Sequence, residues 1–160
     1  MYPTKNDLSE AIRTKAVDLL NARLADAVDL QTQCKQAHWN VKGPNFIALH
    51  KLFDEINEDA EEYVDLIAER AVQLGGAVDG TARSAAKRSG LPEYGAKGPD
   101  GREHVQALSS ALASFGKGAR AAIQQSTDFG DADTADVFTE ISRGVDKWLW
   151  MVEAHLTVDR

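Results

Sequence analysis

Two pairs of residues able to ligate a metal each sit one helical turn apart: His50 with Asp54, and Asp65 with Glu69. Positions i and i+4 share a helix face, so each pair presents two donor side chains together. Asp54 and Asp65 fall on nearly the same face but are separated by about 16 Å of axial rise, too far for one ion to join them. One chain therefore leaves two half-sites. His50 lies as far before the point between Asp59 and Ala60 as Glu69 lies after it, and Asp54 and Asp65 are related in the same way. A twofold partner helix running antiparallel would set His50 opposite Glu69 and Asp54 opposite Asp65, the geometry of a metal site shared by identical subunits.

A further donor precedes these pairs. His38 lies shortly before Gly43-Pro44 and His50 shortly after, so a helical hairpin turning there brings both imidazoles to a similar height. His38, His50 and Asp54 would form one half of the site, with Asp65 and Glu69 of a partner forming the other. Imidazole nitrogens with carboxylate oxygens suit ferrous iron, zinc or manganese, and no thiolate cluster points to a structural zinc knot. Spacing by itself leaves a plainer alternative open, because seven acids between Asp54 and Asp65 inclusive also make an ordinary solvated helix face. His104 and His155 have no comparable carboxylates around them, and no Glu-x-x-His pair of the kind that builds a di-iron centre within one bundle occurs.

The elements that must position these residues are helical almost throughout. Apolar residues from Leu8 to about Ala37 fall along one stripe without a glycine or proline, predicting a long first helix. After Gly43 and Pro44, the series Phe46, Leu49, Phe53, Ile56, Ala60, Tyr63 and Ile67 alternates spacings of three and four, predicting a second that Gly75 and Gly76 stop. Residues 77–101, with five glycines and two prolines, read as a long crossover around a short helix at Thr81 to Arg88. Val105 to Ile123 and Phe138 to Val152 mark two more helices, which Gly116, Gly118 and Gly144 should weaken slightly. This predicts an all-α four-helix bundle with a short helix in the long crossover between helices two and three, matching ferritin-like topology.

Composition narrows the possibilities. A chain of 160 residues supports one sizeable core, so residues 1–160 are expected to form a single domain. No secretory leader pattern or membrane-spanning apolar run is present, and the single Cys34 has no internal disulfide partner. A cytoplasmic protein is expected, with Cys34 acting as a small buried apolar side chain. The net charge of −7 disfavours a generally phosphate-binding surface and favours cations as partners.

The stretch HWNVKGPNFIALHKLFDEINEDAEEYVDLIAER, His38 to Arg70, resembles the signature of the Dps family, the dodecameric mini-ferritins named as DNA-binding proteins from starved cells. DTADVFTEISRGVDKWLWMVEAHL, Asp133 to Leu156, is similar to that family's final helix, so the resemblance covers nearly the whole chain. It implies a homo-oligomer, expected to be a dodecamer, in which His38, His50 and Asp54 face Asp65 and Glu69 of a twofold-related subunit. It further implies a ferroxidase that oxidises two ferrous ions per site, preferably with hydrogen peroxide, and stores ferric mineral in a hollow shell. Protection from oxidative stress follows, because a two-electron reduction of peroxide releases no hydroxyl radical. His38, Asp65 and Glu69 would hold the better-defined iron position, with His50 and Asp54 completing the second.

Other residues carry two readings. Asp131, Asp133 and Asp136 sit where acids cap a helix start, and the resemblance places this region near a threefold iron-entry pore, for which Asp133 and Asp136 are the choice. Trp39 is a packing aromatic beside a ligand; by resemblance it could also donate an electron to a stray oxidant. Trp148 and Trp150 read as core or interface. MYPTKND and TVDR are not lysine-rich, and Arg83, Lys87 and Arg88 read as a solvated basic face, so weak or absent DNA binding is expected. The alternative function is a DNA-compacting or structural shell, nucleoid-associated, whose metal binding is secondary.

Overall fold

The computed structural model describes residues 1–156; the TVDR segment whose charge entered the DNA reading lies outside them. Among the described residues the named elements are five helices: α1 (Glu10–Asn40), α2 (Phe46–Gln73), α3 (Ala82–Arg88), α4 (Gly101–Phe129) and α5 (Ala132–Glu153). The expected four-helix bundle with a short crossover helix is therefore present. The Ser9 side chain accepts the Ile12 N–H at the start of α1, Thr81 accepts that of Ser84 for α3, and Asp100 accepts that of Arg102 for α4. Each satisfies one of the amides that a first helical turn leaves without a partner. Gly130, at φ 87°, ends α4 in the left-handed conformation that costs other residues strain.

α1 packs chiefly on α2 and α4 chiefly on α5, while α3 lies against α1. Contacts along the pairs fix their directions. The start of α1 meets the end of α2 where Arg13 Nη1 donates to the Leu74 carbonyl at 3.0 Å, and His38 meets His50 at the other end, so α1 and α2 run antiparallel. Between α2 and α5, Arg70 meets Thr134 while Asp59 meets Trp148, again antiparallel. The interior is a continuous cluster in which Leu20, Leu30, Phe53, Ile67, Leu108, Phe115, Phe138 and Ile141 are fully buried. Each contributes about 1.5–3 kcal/mol by leaving water, which is what converts the apolar stripes of the sequence into a bundle.

The glycines expected to weaken the helices mark close approaches. A Cβ on Gly144 would lie 2.1 Å from the Tyr63 hydroxyl oxygen, and one on Gly116 would lie 3.2 Å from a Val145 methyl. Tyr63 is buried and stacks on Phe115, so α5 can approach α2 only because residue 144 has no side chain. Trp148 is a core residue whose Nε1–H donates to Asp59 at 2.6 Å, whereas Trp150 is 66% exposed and forms no part of the core.

Candidate metal centre

The turn between α1 and α2 builds a compact imidazole pair. His38 stands in the last turn of α1 and His50 in the second turn of α2, with their rings stacked at 3.7 Å between centroids and 22° between planes. His38 Nδ1 lies 2.8 Å from the His50 carbonyl oxygen, and His50 Nδ1 lies 2.9 Å from the His38 carbonyl oxygen. A carbonyl only accepts, so each Nδ1 carries the proton and donates. In the neutral rings this assigns the lone pair to Nε2 on both histidines, the state a metal ligand requires. The two backbones thus fix both tautomers reciprocally, and the hairpin expected from Gly43-Pro44 supplies the closeness.

Asp54, one turn after His50, completes the local group. Its Oδ1 lies 3.9 Å from His38 Nδ1 and is ion-paired with Lys35 Nζ from α1. The hydrogen bond from Lys35 holds the Asp54 carboxyl below the usual carboxylate range, with the two imidazoles adding smaller effects and desolvation opposing them. Asp54 is therefore ionised at neutral pH, but its charge is shared with an ammonium that an incoming cation must displace. Ligand spacing in the sequence marks donors of lone pairs and not the cations that compete for them, so it gives no sign of Lys35.

Asp65 and Glu69 lie on the same unbroken helix as Asp54 and are both exposed. Continuous helical rise places Asp65 about 16 Å from Asp54 along α2, so His38, His50 and Asp54 are brought together while Asp65 and Glu69 stand apart. Among the described residues no group of three or more His, Cys, Asp or Glu side chains is arranged to hold a metal within this one chain.

Arg70, immediately after Glu69, is buried and anchors this end of α2 to α5. Its Nη2 donates to Asp131 Oδ1 at 2.8 Å and its Nε to Thr134 Oγ1 at 3.0 Å, while Nη1 reaches Asp133 at 3.7 Å. Asp131 is 1% exposed and also accepts the Thr134 N–H, so it is a buried helix cap. Asp133 and Asp136 are exposed on the first turns of α5. Arg83, Lys87 and Arg88 are all exposed, and Arg88 is engaged by Asp79 and the Asn21 carbonyl. No helix among the described residues is long and apolar enough to cross a membrane.

The family model for Ferritin, described as a ferritin-like domain, matches residues 17–160. The sequence is 40% identical over 155 residues to a DNA protection during starvation protein of Agrobacterium fabrum, covering 97% of this chain and 96% of that one. The chain belongs to the Dps family. Its fold is similar to a Dps of Vibrio cholerae described as a member of the ferritin-like diiron-carboxylate proteins, at 25% identity and a TM-score of 0.90 over 98% of both chains. It is also similar to a Dps of Microbacterium arborescens solved in a high iron form, at 33% identity and a TM-score of 0.86, covering 92% of this chain and 96% of that one. Membership of the Dps family within the ferritin-like proteins implies iron binding, iron storage and protection.

Proposed function

We propose that this Dps is a ferroxidase and iron store that uses hydrogen peroxide to oxidise ferrous iron at sites shared between twofold-related subunits. The observation that carries this reading is the reciprocal pairing of His38 and His50, which assigns the Nε2 lone pair on two adjacent rings beside an ionised Asp54. Asp65 and Glu69 of the partner would supply the remaining carboxylates, since a twofold partner's α2 running antiparallel would bring them opposite Asp54 and His50. Ferrous iron is the substrate. Carboxylates favour the greater charge of the ferric product, and neutral imidazoles retain the substrate until oxidation. Lys35 keeps Asp54 compact in the iron-free state and withdraws as a ferrous ion takes over the carboxylate.

Two ferrous ions give up one electron each, and hydrogen peroxide accepts both together with two protons from solvent to become two waters, so no hydroxyl radical need be released. The ferric product then joins a mineral inside a closed homo-oligomeric shell, for which the family implies twelve subunits. Asp133 and Asp136 would be repeated around a threefold axis to attract ferrous ions at the pore, with Arg70 restraining Asp133 from one side. The net charge of −7 per chain opposes long-range attraction to DNA phosphate, so direct DNA binding is weak or absent at physiological salt. On this reading the site of action is the cytoplasm.

The test is anaerobic loading with ferrous iron followed by a peroxide pulse, read by ferric absorbance, in the natural protein and in an Asp65→Ala, Glu69→Ala variant. Rapid oxidation in the natural protein alone supports the proposal. Equally slow oxidation in both, accompanied by a salt-resistant DNA shift, would replace it with the DNA-compacting shell.

A further inference from the structure

Iron oxidation leaves the acids in the middle of α2 without a role. Asp59 is turned towards α5, where it accepts the Trp148 Nε1–H, but Glu58 and Glu61 are exposed. Among the described residues neither Glu58 nor Glu61 has an ion-pair partner. One turn before Glu61, on the same helix face, stands Asn57. It is 6% exposed, yet its Oδ1 has no hydrogen-bond partner among the described residues. Asn57 and Glu61 both line a groove of about 940 Å³ that also includes Lys35 and Trp39 of α1. The Lys35 ammonium is engaged by Asp54. Buried amide oxygens are nearly always paired, so the one on Asn57 marks a place where another group belongs.

Twofold symmetry doubles this group. Glu58 and Glu61 lie on either side of the midpoint between Asp59 and Ala60, as His50 and Glu69 do. An antiparallel partner that sets His50 opposite Glu69 therefore also sets Glu61 opposite Glu58 of the partner subunit, and the reverse. Four carboxylates then gather at the axis, about 8 Å along the helices from the level of Asp54 on one side and Asp65 on the other. Carboxylates so close repel one another, and the repulsion grows as the partner excludes water. A bound cation relieves it. Asn57, Glu58 and Glu61 offer oxygen donors alone, with no imidazole or thiolate among them. That set suits hard divalent cations of the magnesium and calcium class, which take roughly six to eight oxygens.

Resting on the twofold arrangement of the ferroxidase reading, we propose that each such axis carries a further site, for a cation of the magnesium and calcium class, built from Asn57, Glu58 and Glu61 of both subunits. It shares no residue with the iron sites, which use His38, His50, Asp54, Asp65 and Glu69. The ion screens the opposed carboxylates and ties the two α2 helices together, which keeps the iron half-sites on either side in register. The Asn57 oxygen supplies a neutral donor, so the site gains a ligand without gaining charge. One ion on the axis serves two chains.

The experiment takes full-length assembled protein, stripped of metal with a chelator, and titrates it separately with magnesium chloride and calcium chloride. Calorimetry reads binding, and thermal unfolding at fixed ionic strength and protein concentration reads stabilisation. An Asp65→Ala, Glu69→Ala background keeps the iron ligands from contributing. The expected result is about one ion per two chains and a higher melting temperature with the ion bound. Whichever ion binds more tightly identifies the occupant. Glu61→Gln and Glu58→Gln, added singly to that background, should each weaken binding by about tenfold or more, the loss that even disturbing a metal's outer partners brings. Each should also raise the melting temperature of the metal-free protein, because a repelling carboxylate is gone. Both changes fall on exposed residues, so the fold is preserved. No saturable binding of either ion, undiminished affinity in Glu61→Gln, or one ion per chain bound without regard to Glu58 overturns the proposal. Peroxide-driven ferrous oxidation, measured in the natural protein and in the Asp65→Ala, Glu69→Ala variant, decides the ferroxidase reading separately. Oxidation confined to the natural protein, with no cation effect, sinks the cation site alone. No oxidation in either, with the cation effect intact, sinks the ferroxidase and leaves the cation site standing.

Discussion

Replacing Lys35 by methionine should strengthen ferrous binding at the candidate centre, although Lys35 touches no proposed ligand other than Asp54. Lys35 and Asp54 side chains are 34% and 38% exposed, which puts their ion pair in the class of surface pairs worth roughly 0–1 kcal/mol. A metal cation must break that pair to use the carboxylate, so its removal should tighten binding by up to about fivefold. Methionine keeps most of the apolar stem that packs along α1 and removes only the charge. Anaerobic calorimetric titration with ferrous iron, with Asp54→Asn as the control, reads the change. The same substitution should alter acid behaviour. The Asp54 pKa is lowered in the folded protein, so its contribution to stability is present above the ordinary carboxylate range and is lost as pH falls through the folded value. Lys35→Met should show a smaller acid-induced loss of stability below about pH 4. Unchanged or weaker ferrous binding in Lys35→Met would refute the displacement of Lys35 by the incoming ion.

Asp131→Ala should destabilise the protein by about 3–5 kcal/mol, because it removes the α5 cap and leaves the buried Arg70 with only the exposed Asp133, 3.7 Å away, as counter-charge; denaturant unfolding at fixed protein concentration measures it. Gly144→Ala should also destabilise, by about 1–3 kcal/mol of overpacking, although alanine is the better helix former, and Tyr63→Phe in the same chain should recover part of the loss by removing the atom that the new Cβ meets. Cys34 is fully buried and its thiol is pushed up to about 12, so a thiol reagent at pH 8 should label it only after unfolding, as mass spectrometry of the native and denatured protein would show.

What the sequence made legible was whatever depends on local spacing. The three-and-four alternation from Phe46 to Ile67 marks a helix because only that period buries one face. The pair His50 and Asp54 is adjacent because any helix makes it so. His38 was reachable through the Gly43-Pro44 turn, yet the exchange of hydrogen bonds between each imidazole and the other's carbonyl was not, since it depends on backbone atoms that no residue type announces. Partners distant in sequence were equally hidden. Arg70 finds Asp131 and Gly144 finds Tyr63 only after the bundle closes. The acids of α2 show the remaining difficulty. Spacing gives Asp59 and Asp65 the same character, but Asp59 accepts a hydrogen bond from Trp148 while Asp65 stays exposed, and only packing separates them.

The shared nature of the site is tested most directly by complementation between subunits. One subunit would carry His38→Asn and His50→Asn, the other Asp65→Ala and Glu69→Ala, and each would be assayed alone and after co-expression for peroxide-driven ferrous oxidation. Each variant alone should be inactive. Random co-assembly puts one intact and one doubly damaged site at every mixed twofold interface, so about a quarter of the natural activity should return. Full activity in either variant alone, or no recovery in properly assembled mixed shells, would contradict a ferroxidase site built between two chains.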